Sequence, residues 1–175
     1  MKFTGIVLAL DLATVTGFAW GRPGEVPEFG SYRFAKPGSS RALIYRNFRL
    51  WLDLKVSACK PELVVFESAA VPSIMSGKTN IDTTKVLFGL TEHLEEWAQG
   101  RVELREASVS QVRSHFIGQN MKAKIAKPMT VDRCRERGWN VETDDEADAC
   151  ALWDYQCCWL RPDIAVKGTP LFQNL

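Results

Sequence analysis

The chain has 175 residues, 46% of them hydrophobic and 25% charged, with a net charge of +1. That length suits one domain with a full core, and the composition excludes wholesale disorder. Its apolar runs fall short of the ~20 residues of a membrane span, and Met1-Lys2-Phe3 leads into a strand-like run with no secretory cleavage pattern, so we expect a cytoplasmic protein.

Gly5 to Leu12 reads as a buried strand, and Thr14-Val15-Thr16-Gly17 as a turn. Phe18-Ala19-Trp20 predicts a second strand closed by Gly21-Arg22-Pro23-Gly24, and Glu28 to Phe34 a third. The short connections make these three antiparallel. Ser39 or Ser40 caps a helix to about Cys59, with Ile44, Phe48, Trp51 and Leu54 as its apolar stripe. Leu63 to Phe66 is a fourth, buried strand ending in Glu67, and Ser68 to Asn80 reads as a mobile loop. Asp82 or Thr83 opens a helix striped by Val86, Leu90, Leu94 and Trp97 and stopped by Gly100. Val102 to Ala107 is a fifth strand, and Ser108 or Ser110 caps a short helix through Phe116. A basic loop from Gly118 to Lys127 precedes a helix with Pro128 in its first turn, ended by Gly138. Thr143 opens the last helix, to about Leu160, and the tail after Pro162 is extended. Strand–helix–strand crossovers favour parallel pairing of the later strands. The expected architecture is a single α/β domain over 1–175, with its core at about 5–160. It has one mixed five-stranded sheet, three antiparallel strands followed by parallel ones, with helices on both faces.

Charge is segregated along the chain. Residues 31–60 carry seven basic residues against Asp53 alone, and 101–140 carry nine against four acids. Residues 141–154 carry six acids and no base. Basic blocks around a dense acidic cluster suggest a polyanion surface about a metal site, unless they are ordinary solvated helix faces. The five cysteines show no CxxC spacing and only His93 and His115 could join them, which argues against structural zinc. Cys150 and Cys157 read as small core residues, and most of the six tryptophans as core. His93 reads as structural, and His115, beside basic residues, as a weak phosphate contact.

Four acids fall where this architecture can gather them. Asp11 lies in or at the end of the first strand, and Glu67 ends the fourth. Asp145 and Asp148, three apart, share one face at the start of the last helix. Asp11 could instead cap a turn, but burial of an unpaired charge in an apolar strand is costly. Glu67 alone could be an exposed strand end. Asp144 and Glu146 read as first-turn acids, Glu146 as half of a capping box with Thr143. Carboxylates gathered without histidine or cysteine suit two Mg²⁺ or Mn²⁺ ions, which can clamp the attacking and leaving oxygens of a phosphodiester.

Ala9-Leu10-Asp11 followed by Thr16-Gly17-Phe18-Ala19, Val64-Val65-Phe66-Glu67, and Asp145-Glu146-Ala147-Asp148-Ala149 together resemble the RuvC family of Holliday-junction resolvases, within the RNase H-like superfamily. The stretch from Val112-Arg113 through Gly118-Gln119-Asn120-Met121-Lys122-Ala123-Lys124 to Lys127 is similar to that family's basic loop. Leu12-Ala13 stands where bacterial members carry Pro-Gly, which is more like the divergent resolvases of phages. The resemblance implies metal-dependent cleavage of branched DNA in recombination and repair by a homodimer that nicks two strands. It implies Asp11, Glu67, Asp145 and Asp148 as metal ligands and an assisting lysine, Lys127 first and Lys124 second. Arg113, Lys122, Lys124, Lys127 and Lys78 are the expected DNA contacts, with Ile74 and Met75 as a wedge against unstacked bases or as ordinary packing. Rival readings are an RNase H-like nuclease of RNA or flaps, a non-catalytic DNA-binding module, and the actin and sugar-kinase ATPases. The last need a second phosphate loop that this sequence lacks.

Overall fold

The structure, a computed structural model, describes residues 2–68 and 81–163. The chain order is β1 (Val7–Asp11), β2 (Val15–Gly21), β3 (Glu28–Arg33), α1 (Arg41–Cys59), β4 (Leu63–Glu67), α2 (Ile81–Ala98), β5 (Glu103–Ala107), α3 (Val109–Ile117), α4 (Ala123–Glu136) and α5 (Asp144–Leu160). The sheet order is β3-β2-β1-β4-β5. The pairs β1–β2 and β2–β3 are antiparallel, and β1–β4 and β4–β5 are parallel. This is the mixed sheet that the connection lengths predict.

Strand periodicity sorts the core into two layers. Val7, Ala9, Ala19, Leu63, Val65 and Ala107 pack with α3, α4 and α5. Leu8, Leu10, Val64 and Phe66, offset by one residue, pack with α1 and α2. A strand buried on both faces needs an unbroken apolar run, and Val7–Leu10 and Leu63–Phe66 supply it. By the same alternation Asp11, Gly17, Arg33 and Glu67 share the α5 side of the sheet.

Several boundaries differ from expectation. Val15 to Gly17 belong to β2, not to a turn; the reversal lies at Leu12–Thr14. There the Thr16 hydroxyl accepts from the Ala13 amide and donates to the Ala13 carbonyl at 2.9 Å, so a turn-forming residue serves the loop from inside the strand. On α1, Leu54 is 73% exposed and Leu52 is the buried residue. Lys55 takes the sheet-facing position instead, its ammonium 3.8 Å from the Phe18 ring centre. The basic stretch before Pro128 is partly helix, since α4 begins at Ala123. Pro128 therefore sits inside α4, one turn beyond its expected place. Trp51, Trp97, Trp139 and Trp153 are core, whereas Trp159 is 70% exposed. The tail from 164 and the loop 69–80, with Ile74, Met75 and Lys78, lie outside the described residues.

The Leu52/Leu54 difference is directly measurable. Leu52→Ala should destabilise the fold by about 2–5 kcal/mol, as deletion of a fully buried leucine does. Leu54→Ala should stay within ~0.5 kcal/mol of wild type. Urea unfolding of the two variants checks the face of α1; equal losses would contradict it.

Candidate active site

Strands β1 and β4 run parallel and each ends in an acid. Leu10 pairs with Phe66, so one further step sets Asp11 beside Glu67. Beyond Glu67 the chain stays on the sheet because the Ser68 amide donates to the Ala107 carbonyl at 2.9 Å. Helix α5 brings the other two acids. Its start is fixed by the Thr143 hydroxyl, which accepts from the Glu146 amide at 3.2 Å. The Glu146 carboxylate accepts from the Glu142 amide at 2.8 Å, one residue before the cap, so it braces the helix start without the reciprocal bond to the Thr143 amide that the expected capping box would make.

What lets α5 come so close is Gly17. Its backbone is ordinary strand, paired with Asp11 on one side and Ser31 on the other. A Cβ there would collide with the backbone carbonyl of Asp145 and lie 3.3 Å from the Ala149 methyl. Space, not φ, demands glycine at this position. The first turn of α5 thus rests on bare backbone beside Asp11.

Asp11, Glu67, Asp145 and Asp148 line one cleft of about 260 Å³, with Lys127 of α4, Arg113 of α3 and Leu87 and Thr91 of α2. Burial, then the charges of Glu67, Asp148 and Asp145, push the Asp11 carboxyl well above its ordinary range, with Lys127 pulling back. Glu67 is pushed up to about 7 by burial and by Asp148, against Arg113 and Lys127. Burial lifts Asp148 to about 6 against the pull of Lys127 and Arg113, and Asp144 and Asp145 add to the rise. Asp145 is raised by burial and by Asp144, with Lys127 and Arg33 opposing. Lys127 is the embedded counter-charge. Its ammonium lies 2.5 Å from Asp144 and 3.8 Å from Asp148. Burial works against its charge, but the Asp144 hydrogen bond and the charges of Asp148, Asp144 and Asp11 outweigh that and raise it. The same bond holds Asp144 below the carboxylate range.

Of the expected contacts, Lys127 and Arg113 line the cleft, the Arg113 guanidinium also donating to the Met121 carbonyl at 3.1 Å. Lys122 and Lys124 are exposed and do not line it. Asp144 exceeds its expected role, because it holds the lysine; nothing in the sequence spacing ties residue 144 to residue 127. Arg33, at the end of β3, also acts on Asp145, a placement that no local sequence pattern reveals. His115 is a correction. It is 7% exposed and lies 2.8 Å from Asp154, whose other oxygen meets Arg137 at 2.5 Å, so it cannot reach a phosphate. The donor atoms of His115, Asp154 and Cys158 fall within 4.8 Å of one another, a group that could hold a metal ion despite the absence of zinc-type spacing. Asp154 and Cys158 stand six and ten residues beyond Asp148 on α5, roughly 9 and 15 Å along the axis.

No family model and no curated protein matches this sequence. Solved structures do match in fold. T. thermophilus RuvC in complex with a Holliday junction substrate is 12% identical with a TM-score of 0.67, over 91% of this chain and 97% of that one. A second structure of Thermus thermophilus RuvC is 13% identical, TM-score 0.58, over 91% and 96%. The crystal structure of the yeast mitochondrial Holliday junction resolvase Ydc2 is 14% identical, TM-score 0.62, over 96% and 83%. The chain has an RNase H-like fold. Within that class its architecture is RuvC-like.

The raised carboxyls make stability depend on pH in a defined sense. The fold holds the protons of Glu67 and Asp148 more tightly than the unfolded chain does, up to about 7 and about 6. As the pH rises from 4 toward 7 the unfolded chain loses protons that the fold still retains, so the metal-free protein should lose stability across that window. Thermal melts in EDTA should show the decline, and Glu67→Gln should flatten it. A metal-free protein that gains stability from pH 5 to 7 would contradict this electrostatic account.

Proposed function

We propose that this chain is a metal-dependent endonuclease that resolves Holliday junctions or other branched DNA by phosphodiester hydrolysis. The observation that carries the reading is the convergence of Asp11, Glu67, Asp145 and Asp148 on one cleft beside Lys127. The RuvC-like fold, with a relative bound to a Holliday junction substrate, supports it.

The cleft fits hard divalent cations. Its charged ligands are carboxylates alone, without histidine or cysteine, and their burial and mutual repulsion are what a cation relieves. Asp11, Glu67, Asp145 and Asp148 would hold two Mg²⁺ or Mn²⁺ ions. When bound, such ions lower the pKa of water and clamp the attacking and leaving oxygens of a phosphodiester. The chain's own groups do the rest. Glu67 and Asp148 must be deprotonated to act as ligands, so activity should rise with pH through about 6 to 7. Lys127, held by Asp144, keeps a fixed positive charge at the rim of the acids, where charge builds on the phosphorane-like transition state. Arg113 holds a phosphate at the cleft wall, and Lys122 and Lys124 on the exposed start of α4 extend the basic track. One acid cluster cuts one strand, so symmetric resolution requires a homodimer.

A four-way junction, duplex, flap and RNA–DNA hybrid compared in Mg²⁺, Mn²⁺ and EDTA test the proposal. The junction should be cut preferentially and only with metal. Asp148→Asn and Asp11→Asn should each lower single-turnover cleavage at least ~10²-fold while retaining junction binding. Lys127→Ala should slow cleavage by saturating enzyme beyond what one lost phosphate contact explains. Preference for the hybrid would move the reading to an RNA nuclease, and full activity of either aspartate variant would end it.

A further inference from the structure

We infer that Arg33 is a phosphate-binding residue, and that the cleaved DNA strand crosses the acid cluster from Arg113 and Lys127 on one side to Arg33 on the other. The inference rests on the endonuclease reading and specifies how that site holds its substrate.

Three observations converge. The first is register. Asp11 faces Gly17, Gly17 faces Ser31, and Val15 faces Arg33. Arg33 therefore lies two strands across from Asp11 and one pleat beyond it, at the end of the sheet where the acids stand. The second is direction. Phe29 packs into the layer shared with α5, and two-residue alternation puts Ser31 and Arg33 on that face. The start of α5, with Asp145, lies over the neighbouring Gly17. The charge of Arg33 reaches Asp145 strongly enough to oppose the rise in its pKa. The third is availability. Arg33 is exposed, and no ion pair or hydrogen bond engages it among the described residues. Other arginines differ: Arg49 is paired with Glu96, Arg41 with Asp82 and Arg137 with Asp154.

Arg113 approaches the acids from α3, which follows β5 directly, and Lys127 from α4, which packs on α3 and α5. Arg33 approaches from β3, at the opposite edge. The acids between them repel a polyanion unless cations intervene, so a strand must be anchored on both flanks. Two strand spacings are roughly 10 Å, about three nucleotides of helical rise. A guanidinium presents its donors in a rigid fork that matches a phosphate. The strand therefore has a phosphate about three nucleotides from the cut that meets Arg33.

The test compares wild type, Arg33→Gln and Lys60→Gln on a Mg²⁺-free four-way junction over a series of salt concentrations. Lys60 is an exposed base at the other end of the sheet, where β4 begins. Arg33→Gln should weaken binding uniformly across junction sequences and flatten the log–log salt slope by roughly 0.9. Lys60→Gln should leave the slope unchanged. Junctions carrying one neutral methylphosphonate, two to four nucleotides to either side of the cut, locate the contact. One such position should weaken wild type and leave Arg33→Gln unaffected. A wild-type slope for Arg33→Gln, or methylphosphonate losses equal in both proteins at every position, would overturn the inference while leaving the nuclease reading intact. A wild type that neither binds nor cuts junctions would overturn both.

Discussion

Helix α5 meets strand β2 at Gly17, where one methyl group would collide with the carbonyl of Asp145. The arrangement of the site depends on that contact. Helices ordinarily stand off a sheet by the depth of a side-chain layer, and at that distance acids on the first turn of α5 would hang above the sheet surface. Here the strand has no side chain and the helix offers only the methyl of Ala149. The helix settles onto backbone, and Asp145 and Asp148 come level with the acids that end β1 and β4. Thr143 and Glu146 fix where the helix begins, so the two acids are set in rotation as well as depth.

The same closeness is costly. Four carboxylates share a cleft partly removed from water, and burial together with mutual repulsion opposes their ionisation. Lys127 offsets part of that cost, and Asp144 keeps Lys127 charged and in place. The protein handles its other buried acid differently. Asp154 meets His115 through one oxygen and Arg137 through the other, and the Arg137 guanidinium stacks over Phe116 and Trp139. That carboxylate is neutralised by protein groups and ties α3 to α5. Among the described residues the four cleft acids feel Lys127, Arg113 and, at Asp145, Arg33, and Lys127 is itself shared with Asp144, so positive charge falls short of negative there. Such a deficit is the usual mark of a site completed by a ligand.

Much of this was legible in the residues. Apolar runs buried on both faces announced β1 and β4, and their terminal acids followed from strand ends and a parallel crossover. The i, i+3 spacing of Asp145 and Asp148 announced a shared helix face. What escaped had physical reasons. Thr16-Gly17 carries turn chemistry and was read as a turn, although Thr16 serves the preceding loop from within a strand and Gly17 answers to a helix some 130 residues away in the sequence. Leu54 fits a helical stripe as well as Leu52 does, and only the tertiary packing that buries Leu52 in the α1–α2 layer decides between them. The bond between Lys127 and Asp144 joins two helices whose relative placement no local pattern encodes. His115 was read from its basic neighbours in sequence, whereas its partner lies 39 residues on.

The central claim is that these carboxylates form a binding site for paired divalent cations. A crystal of the protein soaked in Mn²⁺ and recorded at the manganese absorption edge tests it most directly. Two anomalous peaks ~3.5–4 Å apart, ligated by Asp11, Glu67, Asp145 and Asp148, are the predicted result. An acid cleft without manganese, or a single peak confined to His115, Asp154 and Cys158, would contradict it.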